Sequence, residues 1–166
     1  MKKVTFLLAT LLIGGMMFTG CTKDPDPTPD PEPDPTPTTY SVVYEVANTN
    51  FSHTYTLSSC FKLDVTYTDA NGESVTENGV TLPWSKAIEV EAPFHASMSG
   101  TFVYDEAELP DELVFGKCKG ISIYQGNSLI SGGLPGGTFT ETTKEKFLQI
   151  VESNPDYVKF TVEDDI

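Results

Sequence analysis

Residues 61–72 read Phe-Lys-Leu-Asp-Val-Thr-Tyr-Thr-Asp-Ala-Asn-Gly. Phe61, Leu63, Val65 and Tyr67 alternate with Lys62, Asp64, Thr66 and Thr68, the period-two pattern of a strand buried on one face. Asp69-Ala70-Asn71-Gly72 follows as a turn, with Asn-Gly suited to the positive φ values of a tight hairpin. Residues 74–76 return as a short strand. Working outward, Tyr40, Val42, Tyr44 and Val46 share one face of an earlier strand. Val80-Thr81-Leu82 reads as an edge segment stopped by Pro83. Ile88, Val90 and Ala92 alternate with Glu89 and Glu91, and Ala96, Met98, Gly100, Phe102 and Tyr104 carry the pattern into the next strand.

Beyond this the alternation is interrupted. The acidic residues 105–112, containing Pro110, read as a surface loop, and residues 114–124 as one further strand region with Ile121 and Ile123 on its apolar side. Gln125-Gly126-Asn127 turns that strand into Leu129-Ile130. Ser131-Gly-Gly-Leu-Pro-Gly-Gly137 reads as a flexible connection; no helix starts directly behind it, so it is not a phosphate-cradling loop. Thr142-x-x-Glu145 has the form of a capping box. Phe147, Leu148, Ile150 and Val151 give the helix after it an apolar face, and Asn154-Pro155 ends it. Val158, Phe160 and Val162 alternate in a last strand. Many short strands with turns between them predict an all-β domain: an antiparallel two-sheet β-sandwich, immunoglobulin- or transthyretin-like, with one C-terminal helix over an open end or edge and a final strand.

The chain has 166 residues with a formal net charge of −14. Residues 40–166 hold 7 lysines against 19 acids, and there is no arginine anywhere. Nucleic-acid binding depends on Lys and Arg neutralising phosphates and is excluded as a function class on this charge balance. Two cysteines fall in the domain, Cys60 and Cys118. Outside the cytoplasm such an even pair points to a disulfide; the alternative is two buried thiols acting as small hydrophobes.

The N-terminus sets the compartment. Lys2 and Lys3 precede residues 4–20, 17 residues without a charge, which end Phe18-Thr19-Gly20 before Cys21. That is the form of a signal peptide: basic start, apolar run, small-residue cleavage site. The run is short for a membrane span, which needs about 20 apolar residues. Phe18-Thr19-Gly20-Cys21 resembles the lipobox of bacterial lipoproteins, which implies acylation of Cys21 as the new N-terminus. The organisation expected is a signal peptide over residues 1–20, a lipidated Cys21 with a disordered stalk over 21–39, and a β-sandwich domain over 40–166. Residues 24–37 alternate Asp, Glu or Thr with Pro, and Pro fixes φ, removes a backbone donor and restrains the residue before it. At about 3.1 Å per residue, the 18 residues from 22 to 39 would reach roughly 55 Å. Lys23-Asp24 resembles the surface-export signal of Bacteroidetes lipoproteins, which implies the outer face of the outer membrane, with the periplasmic face as the alternative.

The domain shows no complete chemical constellation. His53 and His95 are 42 residues apart, without neighbouring ligands at zinc spacing. Ser97 and Ser99 share a strand face with His95 for structural reasons, and no nucleophile elbow is present. Asp69, Asn71, Gly72 and Glu73 cover only part of a calcium loop. The carboxylate pairs Asp105/Glu106 and Asp111/Glu112 have no apolar surroundings to raise a pKa. No catalytic residue, cofactor or metal ligand is therefore assigned. Trp84 is the one candidate ligand contact: as an exposed ring it could stack on a sugar, and as a corner residue plugging the sandwich it needs no ligand.

Leu82-Pro83-Trp84-Ser85-Lys86, with the preceding residues 65–72, resembles small β-sandwich proteins of bacterial envelopes. These include surface lipoproteins of gut Bacteroidetes and the mycobacterial small membrane proteins that accompany large lipid exporters. The likeness spans residues 40–124, with a lipobox here in place of the latter family's N-terminal membrane helix. Together these readings lead us to expect a non-enzymatic envelope lipoprotein, anchored through its lipid, that presents a binding or scaffold module to a protein or glycan ligand. Two alternatives are a glycan-binding accessory of a surface uptake system and, as the resemblance implies, an accessory or assembly factor of an envelope transport complex.

Overall fold

The computed structural model describes residues 37–50 and 52–166. The expected signal peptide, Cys21 and residues 22–36 of the expected stalk lie outside the described residues. Thr36–Ile166 forms a compact unit of its own.

The alternating segments are strands: β1 (Thr39–Ala47), β2 (Lys62–Thr68), β3 (Ser74–Val80), β4 (Trp84–Glu91) and β5 (His95–Val103). They are followed by β6 (Glu112–Gly116), β7 (Cys118–Gln125), β8 (Ser128–Gly132), β9 (Phe139–Thr143), helix α1 (Lys144–Ser153) and β10 (Lys159–Asp165). One sheet has the order β4-β1-β7-β8 and the other β10-β5-β2-β3, and β6 and β9 form a separate ribbon. Every pairing is antiparallel. The domain is thus an all-β two-sheet sandwich with one α-helix. Val42, Tyr44 and Val46 of β1 and Leu63, Val65 and Tyr67 of β2 are buried between the sheets with Met98, Phe102, Ile121 and Ile123.

The two ends of the sandwich differ. At one, Phe61, Tyr104 and Phe115 surround Phe147 of α1, with ring centroids 5.5, 5.2 and 5.1 Å from it. The helix thereby caps the end where β2 begins and β5 finishes. At the other end lie the β2–β3 turn, the start of β5 and the last residues of β10.

Several local expectations are corrected. Residues 114–124 are not one strand, because β6 and β7 part at Lys117 and enter different sheets. The buried positions shift there: Leu113 and Phe115 before the break and Ile121 and Ile123 after it are odd-numbered, but Gly116 and Cys118 are buried beside it and Lys119 is not. The helix cap is Thr143, whose Oγ1 accepts from the Lys146 amide at 3.3 Å. Thr142 instead pairs with Leu113 in the β6–β9 ribbon, so no capping box forms. In the β2–β3 turn Gly72 has φ 78° while Asn71 stays on the negative side, so a single glycine supplies the reversal.

Residues 131–137 are not a loose connection but a strap pinned to β7. Gly136 and Lys119 exchange backbone hydrogen bonds of 3.2 and 3.1 Å. Ser122 Oγ donates to Gly133 O at 2.7 Å, and Cys118 Sγ to Pro135 O at 3.1 Å. The glycines permit close approach: a Cβ on Gly132 would strike Ile121 O and one on Gly137 would strike Lys117 O.

Candidate functional site

Opposite the helix-capped end, the strand termini surround a cleft of about 810 Å³. Thr39 enters it from the start of β1, Thr68 from the end of β2 and Ser74 from the start of β3; Glu89 and Glu91 come from β4, and His95 and Ser97 from β5. Phe94, half-buried against the core, supplies the apolar wall.

The rim is built by local hydrogen bonding. Asp69 Oδ1 accepts from the amides of Asn71 and Glu73, both at 2.9 Å, and Oδ2 accepts from Asn71 Nδ2 at 3.3 Å. These donors, the Glu73 amide foremost, hold the Asp69 carboxyl below its ordinary value of 3.8. Phe94 is fixed by reciprocal backbone bonds with Ile166 of 3.2 and 3.0 Å. His95 Nδ1 lies 2.6 Å from Asp165 Oδ1 across the β5–β10 pair. That hydrogen bond, aided by the negative charge, raises the His95 pKa above 6.5. Beneath the cleft, the buried Tyr44 hydroxyl donates to Thr68 O at 2.8 Å, and burial pushes its pKa up to about 12.

Four hydroxyls, two carboxylates and one imidazole line it beside the apolar Ala70, Val90, Pro93 and Phe94. Such a surface accepts hydrogen bonds from neutral polyols or cationic groups and repels anions. Among the described residues, no group of three or more His, Cys, Asp or Glu side chains is placed to hold a metal ion. Likewise, no helix among them is long and apolar enough to cross a membrane.

The candidates singled out in sequence do not converge on the cleft. Trp84 is 9% exposed and belongs to the core, its ring 5.6 Å from that of Tyr67. The sugar-stacking reading of Trp84 is corrected accordingly: the indole N–H is bound to Glu77 and the ring faces inward. The Cys60–Cys118 disulfide is corrected too, since both residues are free thiols. Cys118 opens β7 beneath the strap, whereas Cys60 lies just before β2, in the opposite sheet, beside Glu108 and Pro110. Burial pushes both thiols above their ordinary value of 9.0. His53 sits away from His95 in an exposed turn, with Nδ1 3.3 Å from Thr49 Oγ1. His95 and Ser97 do share the cleft, but the imidazole's hydrogen bond is to Asp165.

Phe94, Thr39, Glu91 and Asp165 form part of the cleft or its rim without having stood out in sequence. They come from different strand ends, and only the interleaved order of the two sheets brings them together. The Pro93-Phe94 interruption between two alternating runs was the one local signal available.

No protein-family model matches the chain, and no curated protein matches it. The class defined by fold and site is therefore architectural: an antiparallel β-sandwich, helix-capped at one end and bearing an open polar cleft at the other.

Proposed function

We propose that this chain is a non-enzymatic cell-envelope lipoprotein, anchored to the outer membrane through acylated Cys21 and exposed at the cell surface, whose β-sandwich is a binding module held on the acidic proline stalk. The observation that carries the binding role is the cleft itself, formed by converging strand ends and lined by hydrogen-bonding side chains around Phe94. The signal-like residues 1–20 and the cysteine after them support the anchor. An acylated anchor with more than one chain holds stably, whereas a single chain does not.

Glycan capture beside a surface uptake system is the more specific version of this reading. Its support is the combination of hydroxyl and carboxylate partners with an aromatic wall, and it rests on Phe94 rather than Trp84. Fractionation of cells carrying Cys21→Ser tests the anchor: release from the membrane is expected, and retention would sink the lipid-anchor reading. Glycan-array binding by wild type and by Phe94→Ala and Glu91→Ala tests the cleft. Binding that survives both substitutions would place the ligand elsewhere.

A further inference from the structure

Asn-Gly occurs twice in the chain, at Asn71-Gly72 and at Asn78-Gly79. In this dipeptide the glycine nitrogen, once deprotonated, readily attacks the side-chain carbonyl carbon of the asparagine, because glycine has no side chain to shield it. Both asparagines are exposed, and a Cβ on either glycine would meet nothing within 4 Å. Both glycines have positive φ, 78° and 62°. Dipeptide and exposure therefore do not separate the two sites.

What holds each glycine nitrogen does separate them. In β3, the Gly79 N–H donates to Asp64 Oδ1 at 2.7 Å. Asn78 and Gly79 together oppose Asp64 in a bulge, between the pairs Leu63–Val80 and Val65–Glu77. A carboxylate bonded to that N–H opposes the loss of its proton, and strand pairing on both sides holds the backbone. The Gly72 N–H instead donates to a neutral acceptor, Asp69 O, at 3.0 Å in the β2–β3 turn. The Asp69 carboxylate accepts from the amides of Asn71 and Glu73 on either side of it. The Asn71 side chain is restrained by donation from Nδ2 to Asp69 Oδ2 at 3.3 Å. Bonds of an exposed turn open more readily than those of a paired strand.

We propose that Asn71 is a site of spontaneous deamidation on the rim of the cleft, and that Asp64 protects Asn78 from the same reaction. Hydroxide takes the Gly72 amide proton, the nitrogen bonds to Asn71 Cγ, and the Cγ–Nδ2 bond breaks. The side-chain nitrogen leaves as ammonia, carrying a proton in place of the one taken from Gly72. One water then opens the cyclic imide between residues 71 and 72. Opening at Cγ gives aspartate, and opening at the backbone carbonyl gives isoaspartate, with an extra methylene in the main chain. Amide and water become acid and ammonia, and nothing is oxidised or reduced. The product replaces the Asn71 Nδ2 donor with a carboxylate. Two acids then oppose across the turn, and the cleft that Asn71 lines gains negative charge.

Peptide mapping by mass spectrometry, after prolonged incubation of the purified protein at mildly alkaline pH, tests this. Cleavage after Glu73 and Glu77 places the two asparagines on separate peptides. Conversion is expected at Asn71 first, with ammonia released and isoaspartate in part of the product. In denaturant the two sites should react at similar rates. Asp64→Ala should speed the reaction of Asn78 by at least about tenfold, the worth of one hydrogen bond to a charged acceptor, and leave Asn71 unchanged. Asp64→Asn keeps an uncharged acceptor and should fall between; it provides the readout if Asp64→Ala fails to fold. Asn78 reacting first, or as fast as Asn71, in the folded protein overturns the proposal. So does an Asn71 still intact when the denatured chain has fully converted, a difference between the sites that persists in denaturant, or an Asn78 rate that neither Asp64 substitution changes.

Discussion

The indole N–H of Trp84 donates to Glu77 Oε2 at 3.0 Å. Trp84 opens β4 at the edge of one sheet, and Glu77 lies in β3 at the edge of the other. The other Glu77 oxygen accepts from the Tyr67 hydroxyl at 3.2 Å and lies 3.6 Å from Lys86 Nζ. Lys86 Nζ is in turn 5.5 Å from the centre of the Tyr67 ring. One carboxylate thus joins the two sheets along their open side and turns inward the residue whose ring first suggested a ligand. The Trp84 hydrogen bond, followed by those of Tyr67 and the charge of Lys86, holds the Glu77 carboxyl below its ordinary value of 4.5.

Glu77→Ala should destabilise the domain by about 1–3 kcal/mol, because Trp84 and Tyr67 both lose a charged acceptor. Glu77→Gln keeps an acceptor and should cost less. The pH dependence has a definite sign. A carboxyl whose folded pKa is depressed contributes stability above its unfolded pKa and loses it as pH falls through the folded value. Urea denaturation near neutral pH and at about pH 4 should therefore show a larger acid-induced loss in wild type than in Glu77→Gln. Equal losses would show that the clasp contributes nothing through its charge.

The His95–Asp165 pair titrates in the opposite direction. Its folded pKa is raised above 6.5, so its contribution is complete below the unfolded pKa and disappears as pH rises through the folded value. Both side chains are well exposed, at 57% and 80%, so the effect is better read from the ring than from stability. In an NMR titration the His95 midpoint should lie above 6.5 in wild type and move down in Asp165→Asn. An unchanged midpoint in that variant would remove Asp165 as the cause.

The strands with clean alternation were legible because one of their faces meets the core and the other meets water. Tyr40 to Val46 in β1, Phe61 to Tyr67 around β2 and Ala96 to Phe102 in β5 all have that environment. β9 was not legible: Phe139 is its only buried residue, and the run of threonines and Glu141 after it carries no apolar period. The break at Lys117 was hidden because the residues on either side of it, Gly116 and Cys118, are both buried. The cleft was less legible still. Its parts are ordinary turn and strand-end residues, and their proximity is a consequence of strand order.

Phe147 has 0% exposure and contacts the rings of Phe61, Tyr104 and Phe115 as well as that of Tyr157. Phe147→Ala should cost about 3–5 kcal/mol, as expected for emptying a site that four other rings cannot fill. Phe147→Leu should recover much of that loss. Chemical denaturation provides the measurement, and a cost below about 1 kcal/mol would mean that α1 is not an integral cap of the sandwich.

The two thiols should remain distinct and unpaired. Intact-mass analysis of the folded Thr36–Ile166 unit under non-reducing conditions should give the fully reduced mass, and a linked Cys60–Cys118 peptide would contradict the structure. Cys60 is partly exposed and Cys118 buried, so maleimide should label Cys60 first and Cys118 only on unfolding. Raised thiol pKa values lower the thiolate fraction at neutral pH and should slow both reactions relative to a free cysteine.

The glycines of residues 131–137 distinguish a strap from a flexible connection. Gly132 has φ 76°, and a Cβ there would strike Ile121 O. Gly133, the next residue, has open space around its missing Cβ and no positive φ. In a flexible connection Gly→Ala would have the same small effect at either position, acting mainly by restricting the unfolded chain. In a pinned strap the two must differ. Gly132→Ala should destabilise by more than about 1 kcal/mol, through strain at φ and the clash with β7. Gly133→Ala should be neutral or stabilise by up to about 1 kcal/mol, because it restricts the unfolded state without disturbing the folded one. Equal effects in denaturant titrations would return the segment to a loose connection. Opposite signs would show that its glycines serve close packing on β7, and that Leu134 is held in place rather than swept through solvent.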